Sequence, residues 1–440
     1  MNTSNTPISL EEFCPEVITE FDEKKLSQKL LCQLDWLGRS LTRPANIGLT
    51  KIFLIFLDSA YRGNVIMASI KFASICVITA AAIPIAIVGL GMISIARIWR
   101  SKMSVIRPEN PPPPLAQLPE SIKKEGLKII SLNISGLPNC INVFNGMGPI
   151  EERIEKLVDY LTASRSPPDI VCLQELFDEG GVSSLIDNPK IRDLFPYMIV
   201  DAGRASTSLS SGLGILSHFP LSKPEFRIFK NSFAEDFFAN KGVLSCRLQI
   251  SKNHEFVLIN THLQAREEKE AKAVRRQAIE GIRKLEELFE KEPQSGIIFA
   301  GDTNISPYSF PKDLLLKSIK SSFLSKGELT GERLFTQLLK NQEWEQKLIN
   351  SFFKKDHFYL PANGIPVALR DNADDEVCEP ILGSFITDTH TFTPDVSQLD
   401  HILVKRGKNV AILWAKVEVD QRAHLSDHFP LIGTLQIKGV

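Results

Sequence analysis

Leu425-Ser426-Asp427-His428-Phe429 closes a chain that also carries Leu173-Gln174-Glu175 and Gly301-Asp302-Thr303-Asn304. A carboxylate behind a strand-like run, an Asp-x-Asn turn behind another and a late Asp-His pair are the equipment for phosphodiester hydrolysis assisted by a divalent metal. A hydrophobic core needs none of these groups at strand ends. An acidic residue there costs burial free energy unless a cation or a donor meets it, so their recurrence within one domain argues for a shared site.

The elements that must position these groups are legible as β-branched and apolar runs. Strands are predicted over Leu127–Ile134, Asp169–Leu176, Leu213–Ser217, Val243–Ile250, Phe256–His262, Gly296–Ala300, Leu399–Val404, Ala411–Val419 and Leu431–Ile437. Helices are predicted over Ile150–Thr162 and Arg266–Glu290, the latter with Val274, Ile279, Ile282, Leu285 and Leu288 on one side. Asn133, Glu175, His262, Asp302, Asn304, Asp400 and the Asp427-His428 pair all stand where such a run meets a loop, the place where a sheet presents chemistry. They converge at one edge if those strands are neighbours. Hard oxygen donors without a thiolate cluster point to Mg²⁺ or a similar hard divalent cation. The mixed elements predict an α/β fold, a four-layer α/β sandwich in which two packed mixed sheets are flanked by helices.

Ahead of that domain, Phe72 to Ala96 holds no charged residue and is long enough to cross roughly 30 Å of hydrocarbon as a helix. It lies too far from the N-terminus for a signal peptide. The alternative, a buried helix of a soluble domain, would normally carry a polar face. Pro84, Gly89 and Gly91 leave two shapes open, a kinked single crossing or a short hairpin dipping into one leaflet. Arg97, Arg100, Lys102 and Arg107 after the segment, against Arg62 and Lys71 before it, place the C-terminal part in the cytoplasm for a single span. Pro108 to Pro114 is a polyproline stretch that forms a semi-rigid spacer. The expected organisation is a motif-free N-terminal region over 1–63, a hydrophobic membrane segment over 64–100, a Pro-rich linker over 101–124 and a catalytic domain over 125–440.

Charge is nearly balanced, 51 Lys+Arg against 52 Asp+Glu, without the basic footprint of a nucleic-acid binder. Nucleic acid is therefore disfavoured as a partner. The seven cysteines are odd in number and lack C-x-x-C pairing; they read as buried free thiols in a reducing compartment, with no zinc site.

Asn133, Leu173-Gln174-Glu175, Thr261-His262-Leu263, Gly301-Asp302-Thr303-Asn304, Asp400 and Ser426-Asp427-His428-Phe429-Pro430 occur in the order of the endonuclease/exonuclease/phosphatase superfamily. The chain resembles that superfamily from about Leu127 to Ile437. Within it, Thr261-His262-Leu263-Gln264-Ala265 and Phe238-Ala239-Asn240-Lys241-Gly242-Val243 are most similar to neutral sphingomyelinases, some of which carry hydrophobic N-terminal membrane segments. The resemblance implies that Glu175, helped by Asn133, holds the metal, with Asp427 beside it or supporting its water. It implies a general base in His428, held by Asp400, and hydrogen-bond donors to the phosphorus centre in His262 and Asn304. Asp302 orients the nucleophile or shares base duty.

Competing readings remain open at several positions. Asn133 and Asp427 could serve turns, His262 could be a satisfied core histidine, and Asp302 with Asn304 could form an Asx turn without touching substrate. Lys241 meets substrate phosphate or sits in a loop; His390 lines the substrate entrance or a surface turn. Ser135 departs from the superfamily's nucleases, which have an acidic residue two places after the Asn, and this shifts weight from DNA to lipid.

The implied activity is that of a membrane-tethered, Mg²⁺-dependent phosphodiesterase. Its substrate is a membrane lipid, sphingomyelin, cleaved to ceramide and phosphocholine by in-line water attack. A phosphoinositide phosphatase or nuclease of the same superfamily is the nearer rival. A catalytically silent membrane-anchored binding protein is the rival from another class.

Overall fold

The computed structural model describes residues 10–19, 65–99, 103–137, 149–164, 166–203, 209–266, 268–290, 296–304, 367–368, 400–405, 412–419, 425–426, 428 and 430–437, with isolated positions between 34 and 48. Two sheets organise them. One contains, in spatial order, β1 (Glu16–Thr19), β7 (Leu221–Ile228), β8 (Gly242–Ser251), β9 (His254–His262), β10 (Gly296–Asp302) and β12 (Asp400–Lys405). The other contains β11 (Val367–Ala368), β13 (Ile412–Val419), β14 (Leu431–Ile437), β3 (Leu127–Asn133), β4 (Ile170–Gln174), β6 (Gly214–Ser217), β5 (Tyr197–Val200) and β2 (Ser104–Ile106). The pairs β3–β4 and β9–β10 are parallel and their neighbours antiparallel, so both sheets are mixed.

Alternate residues of a strand point to opposite faces, and here both faces of the central strands are buried. Leu127 and Ile129 of β3, Ile170 and Cys172 of β4, Leu258 of β9 and Ile298 of β10 meet between the sheets. Ile130, Leu132, Val171 and Leu173 face the other way, onto α4 (Ile150–Ala163), whose Ile150, Ile154, Leu157, Val158 and Leu161 form one stripe. α5 (Glu179–Ile186) and α6 (Pro189–Leu194) complete that layer, started by the Asp178 and Asn188 side-chain caps. Val257, Ile259, Ile297 and Phe299 point outward from the first sheet onto α7 (Lys269–Glu290) and α1 (Leu10–Phe13). The result is a four-layer α/β sandwich.

Each of the nine predicted strands is present to within a few residues at its ends. α7 starts at Lys269 rather than Arg266, whose backbone has φ 77°. Leu288, expected on its apolar side, is 41% exposed, and Phe289 packs against the core instead. β7 escapes sequence reading because Pro224 and its charged neighbours break the alternation; the strand absorbs them at an irregularity between Ser222 and Glu225.

The sheets also take residues from outside the 125–440 interval. β1 precedes the apolar segment, β2 lies in the stretch read as a linker, and α3 (Glu120–Glu125) buries Ile122 in the intersheet core. The 35-residue α2 (Val65–Trp99) runs through Pro84, and none of its described side chains belongs to the three hydrophobic clusters. Of its apolar stretch Phe72–Ile95 only 17% is buried.

Candidate active site

Strand parity gathers the polar residues. On β9, Phe256 and Leu258 point between the sheets, so Asn260 and His262 continue that face; on β10, Ile298 and Ala300 lead to Asp302 in the same way. Asp302 stands opposite His262 on one side and opposite Asp400 on the other, which aligns three side chains across adjacent strands. Asn133 ends β3 opposite Gln174 of β4, and Glu175 follows. The inward rows of both sheets therefore turn from apolar to polar at one common edge.

The side chains meet there. Asn133 Nδ2 donates to Glu175 Oε1 and to Asp302 Oδ2, both at 2.9 Å, while its Oδ1 accepts the Ser135 N–H at 2.9 Å. His262 Nε2 lies 3.7 Å from Glu175 Oε1 and 3.6 Å from Asp302 Oδ2. His428 Nδ1 bonds to Asp400 Oδ2 at 2.6 Å, and its Nε2 lies 3.9 Å from Asp302 Oδ2. Asn304 closes a turn by donating its N–H to Asp302 Oδ1, and its side-chain amide donates to the Leu263 carbonyl. Asn133, His262, Asp302 and Asp400 are buried; Glu175 and His428 keep 21% and 13% of their side chains exposed, so the cluster opens to solvent through them.

Backbone strain collects at the same edge. Ser135, Glu175 and Asn304 have φ of 49°, 56° and 50°, in the left-handed region that costs a non-glycine residue about 1 kcal/mol or more. The twist at Glu175 is supported by Gly212 (φ 68°), where a Cβ would come 2.7 Å from Phe177 and 3.1 Å from the Glu175 Cα. Arg153 of α4 fixes the neighbouring loop by donating to the Ile134 and Ser135 carbonyls at 2.5 and 2.7 Å.

Burial alone would raise the Asp302 carboxyl. The His262 and His428 imidazoles, the Asn133 amide and the Asn304 N–H outweigh it and hold Asp302 below the usual carboxylate range. Burial, reinforced by the Lys241 ammonium, pushes His262 down to about 4.

Glu175, His262 and Asp302 each offer a ligand atom within 4.8 Å of the other two, and so do Asp302, Asp400 and His428. Two carboxylates converging on one neutral amide and one neutral imidazole are an electrostatic surplus that a cation relieves. Lys241 reaches the site, but its Nζ is paired with Asp236 Oδ2 at 2.8 Å. The oxygen-rich donor set fits a hard divalent ion.

Lys241 stands in the loop just ahead of β8, and its ammonium is engaged by neighbouring groups. It is 5% exposed and bonds to Asp236, to His262 Nε2 at 3.2 Å and to the Leu263 carbonyl at 2.7 Å. With Nε2 accepting from Lys241, the His262 proton belongs on Nδ1, which is buried without a hydrogen-bond partner among the described residues. Asp427 and His390 lie outside the described residues.

Sequence reading missed two groups beneath the cluster. Gln174 Nε2 donates to Asn260 Oδ1 at 2.8 Å, and Asn260 Nδ2 donates to the Leu173 and Gly214 carbonyls at 3.0 and 2.9 Å, tying one sheet to the other. The available signal was an amide in an inward row otherwise filled by Ile, Cys, Phe and Leu.

A profile of the endonuclease/exonuclease/phosphatase family matches residues 130–428. Sphingomyelin phosphodiesterase 5 of Mus musculus is 29% identical over 225 residues, covering 42% of this chain and 46% of that protein. Inositol phosphosphingolipids phospholipase C of Schizosaccharomyces pombe is 26% identical over 202 residues, covering 44% of each. The matched region thus spans less than half the length of either relative. Among solved structures, sphingomyelinase C from Streptomyces griseocarneus superposes with a TM-score of 0.47 at 18% identity, covering 70% of this chain and 99% of that one. With Asn133, Glu175, His262, Asp302, Asp400 and His428 drawn from both sheets to one edge inside the matched interval, the chain belongs to the endonuclease/exonuclease/phosphatase family.

Proposed function

We propose that this protein is a membrane-tethered, Mg²⁺-dependent phosphodiesterase that hydrolyses sphingomyelin to ceramide and phosphocholine. The observation that carries the reading is the convergence of Glu175, His262, Asp302 and the Asp400–His428 pair on one half-open cluster. Glu175 and Asp302 would hold the cation, with Asn133 as the strut between their carboxylates rather than a ligand. When bound, the ion neutralises a phosphate oxygen and the charge developing on the leaving group. His428, oriented through Nδ1 by Asp400, takes the proton of the attacking water at Nε2. Asp302, 3.9 Å from that nitrogen, helps orient the water. His262, neutral near pH 7, and Asn304 face the growing equatorial charge as polar contacts.

The lipid part of the reading is supported by the relatives' names, which share sphingolipid phosphodiesters. The exposed apolar face of α2 supports membrane attachment, and the basic residues after it support a cytoplasmic domain. A panel of sphingomyelin vesicles, inositol-lipid vesicles and plasmid DNA, each with Mg²⁺, tests the substrate. Phosphocholine release is the expected result. Turnover of inositol lipid or DNA instead moves the substrate assignment, and binding of sphingomyelin vesicles without turnover on any member marks a silent binding protein.

A further inference from the structure

The sandwich draws on chain from both sides of α2. Ahead of it, Glu16 to Thr19 pair with Ile228 back to Glu225 of β7, and Leu10 and Cys14 are buried in the cluster that includes α7. After it, Ser104 to Ile106 pair with β5, and Met103 and Leu118 are buried between the sheets. A helix crossing a bilayer once would leave residues 10–19 on one face and residues 103–437 on the other. β1 could not then reach β7, so the chain must leave the membrane by the face it entered.

The described positions before α2 supply the return arm. A Cβ at Gly38 would lie 2.7 Å from the Gly89 carbonyl, one at Gly89 would lie 2.5 Å from the Gly38 carbonyl, and one at Gly48 would collide with Thr79 Oγ1. Residue 38 faces 89 and residue 48 faces 79, so an advance along one helix is a retreat along the other and the two are antiparallel. Ala45 and Ala82, each between those contacts, are buried to 6% and 8% exposure. Small residues along such a seam let helix backbones approach within lipid, where no hydrophobic drive between helices exists. Thr79, Ala82, Gly89 and Ile93 are buried, whereas Val77, Ile78, Ile87 and Val88 are exposed. One face of α2 is thus spent on the hairpin, and the other remains for acyl chains.

We propose that α2 enters the bilayer as one arm of a helical hairpin, so that β1 and the hydrolase domain lie on the same side of the membrane. The inference rests on the membrane-attachment reading above and is independent of which phosphodiester is cleaved. It replaces the single-span option with an even number of crossings. Sidedness is then set between the hairpin's base and its tip. Arg97, Arg100, Lys102 and Arg107 flank the base, against Lys51, Arg62 and Lys71 toward the tip, a small excess that favours the cytoplasmic face for the domain.

The test uses the full chain, tagged at both ends and synthesised in the presence of sealed vesicles of phosphatidylcholine and sphingomyelin. The chain is expected to float with the vesicles, to resist carbonate extraction and to lose both tags together to added protease. In a background with Cys32→Ser and Cys76→Ser, Gly48→Cys with Thr79→Cys is expected to form an intramolecular disulfide under mild oxidation. Flotation with one tag cut and the other protected overturns the hairpin while leaving attachment intact. Failure of the pair to cross-link in a floating chain also overturns the hairpin. Recovery of the chain in the soluble fraction, or its extraction by carbonate, overturns attachment and the hairpin together.

Discussion

His428 and Glu175 make separable contributions. Removing a positioned general base typically costs roughly 10²–10⁴-fold in rate, so His428→Ala is expected to lower turnover by that order while leaving Mg²⁺ affinity near wild type, as read by calorimetric titration. Loss of cation binding in that variant would place His428 among the ligands instead. Glu175→Gly and Glu175→Ala both remove the carboxylate and are expected to be inactive. Their stabilities should reverse the usual order. Glycine adopts φ 56° without a Cβ clash, so the Gly variant should exceed the Ala variant by about 1 kcal/mol in urea denaturation. Equal stabilities, or a more stable Ala variant, would mean that the left-handed turn stores no strain.

At the scale of elements, the nine strands that frame the site were legible in the sequence because they are short, β-branched and closed by a polar residue. β1, β2, β5, β7 and β11 were not. Glu16–Thr19 and Ser104–Ile106 are edge strands too short to show a period, and Pro224 with its charged neighbours hides the alternation of β7. The site residues were legible as strand ends, but that they share one edge depends on register, which no local pattern contains. Asp302 facing both His262 and Asp400 is such a fact. The Gln174–Asn260 bridge is another, since its partners lie 86 positions apart. Asn260→Ala leaves two carbonyls and the Gln174 amide without their partner in the buried intersheet layer. It is expected to cost about 1–3 kcal/mol, measurable by chemical denaturation, and a neutral result would mean that the amide is dispensable for sheet packing.

Asp169 adds a pH dependence at the start of β4. Its Oδ2 accepts the Lys128 N–H at 2.7 Å, and burial raises its carboxyl to about 6 against that hydrogen bond. An unfolded aspartate ionises near pH 4. Between those values the folded chain holds a proton that the unfolded chain has released, so the contribution is fully present below about pH 4 and is lost as pH rises through 6. Asp169→Asn should therefore gain stability relative to wild type as pH rises from 4 to 7. Parallel stability profiles would rule this linkage out.

For the whole molecule, the apolar helix precedes the bulk of the sandwich, while the short stretch Glu16–Thr19 ahead of it also pairs into the first sheet. Ile18, Met103, Leu118 and Ile122 share the intersheet core with strands hundreds of positions away. A chain that starts at residue 100 loses β1 and α1 and is expected to melt at a lower temperature than one in which residues 20–99 are replaced by a flexible linker. Equal melting temperatures would show that β1 adds no stability. The linker chain keeps the cluster of Glu175, Asp302 and His428 and should hydrolyse detergent-dispersed substrate while losing its hold on vesicles.

The central claim is that groups from two sheets surround one hard cation and split a phosphodiester. Phosphocholine release from sphingomyelin vesicles, followed through removal of divalent ions with chelator and their restoration as Mg²⁺, tests it most directly. The account predicts turnover that vanishes with chelator, returns with Mg²⁺ and is absent throughout in Glu175→Gln. Turnover that persists in chelator, or that survives in Glu175→Gln, would contradict it.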